Sequence, residues 1–204
     1  DSFGQSRGLP DILTAAGLRY YAFGRPEAWL YPLKRPLFYW RGPGGGQLLC
    51  YRIPIDWYAI ERDGLPKRIA DHLQQTDEWG LRHTALFYGL GDHGGGTSDR
   101  LVRDALTAMK EYNNEEIEIK FSTLHEYFAA ARAEVAAKGD GFLETVDDEI
   151  NFLQRGYYAA AAKLKYTFRR AETAVKRANW SDSLQALHHS GTARRTDELW
   201  PKIL

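Results

Sequence analysis

Cysteine is nearly absent: Cys50 is the single one in 204 residues, so no internal disulfide and no cysteine-rich metal site can form, and stability has to come from packing. A free thiol suits the cytoplasm, where the chain is expected to work. Neither charge is in excess. The 27 Lys and Arg balance 27 Asp and Glu, which removes the broad basic surface of a nucleic-acid binder. Long apolar runs are missing as well. None approaches the roughly 20 residues that span a bilayer, and no signal-like stretch opens the chain, so no membrane partner is expected. Internal repeats and low-complexity tracts are also lacking.

What is present is an ordinary globular composition, 44% hydrophobic and 26% charged, with length for one domain and part of another. Residue 1 is Asp rather than Met, so the chain is read as a processed product or a piece of a longer one. Apolar periodicity alternates in type along the first two thirds. It predicts helices over 9–18, 66–79, 98–112 and 123–138, and strands over 20–23, 37–41, 47–52, 83–88 and 117–121. Alternation of this kind argues an α/β domain with a mostly parallel sheet. From Asp148 to about Trp180 the sequence turns Ala-, Arg- and Lys-rich, and Leu164, Phe168, Ala171 and Val175 recur at helical intervals. Two domains are therefore expected, 1–147 and 148–204. The basic run Arg169-Arg170 with Lys163 and Lys176 reads as a solvated helix face, since no exposed aromatics interleave it.

Aromatics concentrate between Tyr20 and Tyr58, which holds 11 of the 27 Phe, Trp and Tyr residues. Such density lines a sugar cleft or fills a core wedge. The segment Gly89-Leu-Gly-Asp-His-Gly94 satisfies the dinucleotide fingerprint literally, which raises a nicotinamide- or flavin-dependent oxidoreductase as one reading. Asp92, however, would repel a pyrophosphate from the turn, and Glu116 and Glu118 lie at the beginning of the next expected strand rather than near its end. The alternative takes Asp92 as a ligand-facing acid just past a strand's carboxyl end. A third reading has Asp92 and Thr97 capping the helix that follows.

Ordered segments along the chain resemble glycoside hydrolase family 38, the zinc-dependent retaining α-mannosidases. Asp1-Ser-Phe-Gly-Gln-Ser6 and Leu9-Pro-Asp-Ile-Leu13 resemble the family's Asp-Pro/Ser-Phe-Gly-His-Ser stretch and the Leu-Pro-x-Ile-Leu after it. Leu37-Phe-Tyr-Trp-Arg-Gly-Pro-Gly-Gly45 resembles Phe-x-Trp-x-Gly-x-Asp-Gly, and Tyr88-Gly-Leu-Gly-Asp-His-Gly-Gly-Gly96 resembles the family's glycine loop. Gln154-Arg-Gly-Tyr-Tyr-Ala-Ala-Ala-Ala-Lys163 resembles the stretch that opens its helical middle domain.

The resemblance implies part of a (β/α) barrel-like catalytic domain followed by the start of a three-helix bundle. It implies hydrolysis of terminal α-mannosides or oligosaccharides, with Asp1 as nucleophile and metal ligand and Asp92 as general acid/base. Arg25 would keep Asp1 ionised, and Trp40 and Tyr58 would wall the sugar ring; His93, adjoining Asp92 in the sequence, is read as a contact to substrate or metal or as an exposed loop residue. Zinc is the implied metal, yet the given residues supply few of its usual ligands: the family's His-x-Asp motif would lie before residue 1, and Ala161 stands where the family's helical segment carries a ligand His. The departure at Ala161 keeps open a non-catalytic, carbohydrate-binding homologue.

Overall fold

The computed structural model describes residues 4–54, 64–90, 96–150 and 160–189. The chain divides into two compact units, Asp1–Gln154 and Arg155–Leu204. The second unit contributes one long helix, α5 (Ala162–His189). In the first unit the order is α1 (Leu9–Ala15), β1 (Tyr20–Phe23), β2 (Leu37–Arg41), β3 (Gln47–Arg52), α2 (Leu65–Glu78), α3 (Asp99–Tyr112), α4 (Leu124–Lys138) and β4 (Thr145–Val146). No helix among the described residues is long and apolar enough to cross a membrane.

The strands form one sheet in the order β1-β3-β2-β4. Strand β3 is buried along nearly its whole length, because both faces of the sheet are covered. Leu49 and Tyr51 point into a cluster with Tyr127, Phe128, Ala131 and Val135 of α4. On the other face Leu48 and Cys50 join Phe38, Trp40 and Ile150, with Leu9 and Leu13 of α1 against them. Alternating side chains thus feed two cores, and α1 and α4 lie on opposite faces of one sheet.

The sheet is mixed, with two of its three pairings parallel as expected and one antiparallel. Strands β1 and β3 are parallel and so are β2 and β4, but β2 and β3 are antiparallel. A tight glycine turn imposes this: Gly42 N–H donates to Gly46 O at 2.8 Å and Gly45 takes φ +90°, so the chain must fold straight back. The Asp11 carboxylate holds the turn by accepting from Gly44 N at 2.9 Å and Gly46 N at 2.8 Å. A Cβ at Gly46 would lie 2.3 Å from Thr14 Oγ1 and 2.8 Å from the Asp11 backbone. Two sequence motifs, Leu9–Leu13 and the 42–46 turn, are therefore packed on each other.

Segments 83–88 and 117–121, expected as strands, join no ladder among the described residues. Side chains take up their backbone groups instead. The buried Glu134 carboxylate accepts from Arg82 N at 2.7 Å and His83 N at 3.2 Å, and Tyr51 Oη donates to Ala85 O at 2.9 Å. Asn113 and Asn114 do the same for 116–119: Asn114 Oδ1 accepts from Glu116 N and Ile117 N, and Asn113 Nδ2 donates to Ile119 O. Backbone polar groups need partners, but nothing requires that those partners be another strand. The helices expected over 66–79, 98–112 and 123–138 are found within a residue or two. Helix α3 is capped by Ser98, whose hydroxyl accepts from Leu101 N, and α4 opens on a Thr123/Glu126 capping box.

His72 of α2 is 4% exposed and shares a hydrogen bond with Thr84 Oγ1 at 3.2 Å. Burial, with Arg68 adding to it, pushes its pKa down from 6.5 to about 4. In that window the unfolded chain takes up a proton that the folded chain refuses. Stability should therefore fall as pH drops from about 6.5 toward 4, at ~1.4 kcal/mol per pH unit and by up to about 3 kcal/mol. Urea midpoints at pH 7 and pH 4.5 check this: His72→Gln should flatten the decline, and an unchanged decline would contradict it.

Candidate active site

Strands β1 and β3 run parallel with Phe23 opposite Arg52, so their carboxyl ends open on the same edge of the sheet. Ligands of α/β folds gather outside such an edge. Ile53 N–H donates to Phe23 O at 2.8 Å and carries the pairing one residue further. The loop from Gly24 to Pro36 leaves this edge through a cis Arg25–Pro26 bond. It is tied down at its far end by Arg35, which donates to Trp79 O at 2.7 Å and Phe142 O at 3.1 Å. The buried Arg52 guanidinium donates to Tyr31 O, and burial lowers its pKa to about 10.

Gln5 joins the opening motif to this edge. It is 3% exposed, and it pairs with Ile150 through both backbone groups, at 3.1 and 3.2 Å. Its side-chain oxygen accepts from Tyr21 Oη at 2.7 Å and its amide donates to Arg25 O at 3.4 Å. The segment four residues after Asp1 is thus fixed to β1 and to the start of the Arg25 loop. Sequence reading overlooked Gln5, although the residue stands where the resembled motif has His. An amide that both accepts and donates in fixed directions does the joining.

Arg25 is nearly buried, and its Nε lies 3.7 Å from Glu27 Oε1. The other carboxylate oxygen, Glu27 Oε2, is buried without a hydrogen-bond partner among the described residues. Trp40 requires a correction. It is 0% exposed and its Nε1 donates to Asp148 O at 3.0 Å, so the residue expected as a sugar wall is a core residue with no open face. Among the described residues, Trp29 on the Arg25 loop is an exposed aromatic of this edge, 78% exposed. Burial raises the Cys50 thiol far above its usual range and makes it a poor nucleophile.

Asp1, Tyr58, Asp92 and His93 lie outside the described residues. The neck of the Asp92 loop is described: Leu90 N–H donates to Gly96 O at 3.1 Å, and Gly89 takes φ +135°. Capping of α3 belongs to Ser98 rather than to Thr97. The dinucleotide reading loses its context too. No ladder strand precedes Gly89, and α3 starts at Asp99, five residues beyond the third glycine of the fingerprint.

Zinc needs three or four convergent N, O or S ligands. Among the described residues no group of three His, Cys, Asp or Glu could hold a metal ion. Ala161, at φ +52° just before α5, offers a methyl group where the resemblance implies a histidine. The described residues therefore do not fit the metal.

Residues 1–150 match the model of the glycosyl hydrolases family 38 N-terminal domain. The chain is 26% identical over 218 residues to the human protein "Alpha-mannosidase 2C1", an alignment covering 100% of this chain and 19% of that protein. Among solved structures, an alpha-mannosidase from Enterococcus faecalis V583 shares the fold with a TM-score of 0.54 at 22% identity, over 74% of this chain and 17% of that one. The chain thus spans about a fifth of the length of these relatives.

Proposed function

This chain belongs to glycosyl hydrolases family 38, and from that premise we propose that the protein it forms part of is a retaining α-mannosidase. The observation that carries the reading is the family match over 1–150, a span that includes both Asp1 and Asp92. Two carboxyls are what retention requires, one ionised and one protonated, roughly 5–5.5 Å apart across the anomeric carbon. Asp1 attacks that carbon as the bond to the leaving oxygen breaks, and Asp92 gives its proton to that oxygen. Asp92 then takes a proton from water, which displaces Asp1 and restores the starting configuration.

The Gln5 anchor supports this assignment, because a nucleophile must be held in line with the carbon it attacks. Arg25 favours the ionised form of Asp1. Glu27 Oε2 offers a buried acceptor that a sugar hydroxyl would satisfy, and Trp29 offers the aromatic face that Trp40 cannot. Tyr58 and His93 are further substrate contacts on this reading. Asp1 is also the chain's candidate contribution to a zinc shell.

Proton NMR of the first product from an aryl α-mannoside, released by the full-length protein, tests the reading. The α-anomer should appear first and mutarotate afterwards; the β-anomer first, or no hydrolysis, would refute it. Ala161 favours one second reading, a homologue that binds mannosides without cleaving them, recognised by saturable binding in the absence of any turnover.

A further inference from the structure

At the opposite edge of the sheet, by the amino ends of β1 and β3, lies a cleft of about 370 Å³ walled by Thr14, Arg19, Tyr20, Tyr39, Gln47 and Arg132. Its composition is unusual for a chain with no net charge. Two arginines, Arg19 and Arg132, are among its lining residues, and no carboxylate residue is. Several other cations are engaged: Arg41 meets Asp147, Arg103 meets Asp99, and Arg35 meets two carbonyls. Arg19 and Arg132 have no side-chain hydrogen bond or ion pair among the described residues. Two like charges beside one cleft repel each other unless an anion lies between them.

The walls are held in advance. Tyr20 stacks on Phe128 of α4 with ring centroids 4.8 Å apart and planes 8° from parallel. Arg132 stands one helical turn after Phe128 on α4. Arg19 is fixed through its backbone, its carbonyl accepting from Leu49 N at 3.0 Å. Leu49, 5% exposed, closes the floor. Backbone and ring packing thus fix the framework that carries the two arginines.

We infer that this cleft is a binding site for a small phosphomonoester on a polyol body, a sugar phosphate in class, distinct from the glycosidase edge and independent of the mannosidase reading. A phosphate dianion offsets both guanidinium charges and accepts from two N–H forks, which a neutral sugar cannot do. A cleft of this volume is in the range of small-ligand pockets, and its remaining wall of tyrosine rings with Gln47 and Thr14 suits a hydroxylated body.

Calorimetric titration of the chain with glucose 6-phosphate, inorganic phosphate and glucose, at one fixed ionic strength, tests the site. Glucose 6-phosphate should bind at one site, more tightly than phosphate, while glucose should give no heat. Arg19→Gln and Arg132→Gln should each weaken binding roughly tenfold or more, and raising salt should weaken it further. Arg103→Gln, at an exposed pair on α3, should leave it unchanged. Both cleft substitutions are at exposed positions, and an unchanged thermal midpoint shows that folding is intact. Absence of binding, equal binding of glucose, equal binding of bare phosphate, or binding that survives both substitutions would each overturn the assignment.

Discussion

Replacing Asp92 by Asn in the full-length protein is expected to lower turnover of alkyl α-mannosides by about 10²–10⁴-fold, the usual contribution of a positioned general acid. The argument is chemical. An alkoxide leaves poorly without a proton, whereas a dinitrophenolate leaves without help, so the loss should shrink sharply on dinitrophenyl α-mannoside. Substrate binding should change little, because Asn keeps the size and most of the hydrogen bonding of Asp. The described neck of the loop, Leu90 N to Gly96 O, depends on backbone groups that the substitution leaves alone. Steady-state kinetics on both substrates decides the matter. An equal loss on both would remove Asp92 from the acid role, and undiminished activity would remove it from the mechanism.

Glu134→Ala is expected to destabilise the chain by roughly 3 kcal/mol, since it removes three hydrogen bonds accepted by one buried carboxylate, each worth about 0.5–1.5 kcal/mol net and more where the acceptor is charged. Glu134 is 9% exposed. Its carboxylate serves Arg82 N, His83 N and His83 Nδ1, the last at 2.7 Å. Among the described residues no neighbouring strand stands ready to replace those bonds. Segment 83–88 leads directly into the Asp92 loop, so the same change should loosen the approach to that loop. Glu134→Gln keeps one acceptor oxygen and should recover about half of the loss. Urea denaturation of the three proteins measures this, and a change under 0.5 kcal/mol for Glu134→Ala would contradict the assigned role.

These two residues mark where the sequence was legible and where it was not. The Asp92 loop announces itself through its glycines, and the family resemblance reached it from motifs alone. Helices α2, α3 and α4 were equally readable, because their apolar spacing and the Ser98 and Thr123 caps are local signals. Glu134 carries no such signal. Its role depends on a contact across 51 and 52 residues to His83 and Arg82, and periodicity reports only neighbours. The same limit explains segment 83–88, which has a strand's composition while its backbone is satisfied by side chains. Trp40 failed for a related reason: aromatic identity does not say whether a ring faces a cleft or a core, and the alternation of β2 turned it inward against Cys50 and Ile150. Gln5 shows the converse, a residue visible in a motif whose importance appears only with its partners Tyr21, Arg25 and Ile150.

The reading of this edge as a retaining glycosidase rests on a covalent bond to one residue. The full-length protein would be incubated with 2-deoxy-2-fluoro-α-mannosyl fluoride, which slows the second displacement, and the labelled peptide mapped by mass spectrometry. The account predicts a single glycosyl adduct on Asp1. An adduct on another residue, or undisturbed hydrolysis of α-mannosides with no adduct, would contradict it.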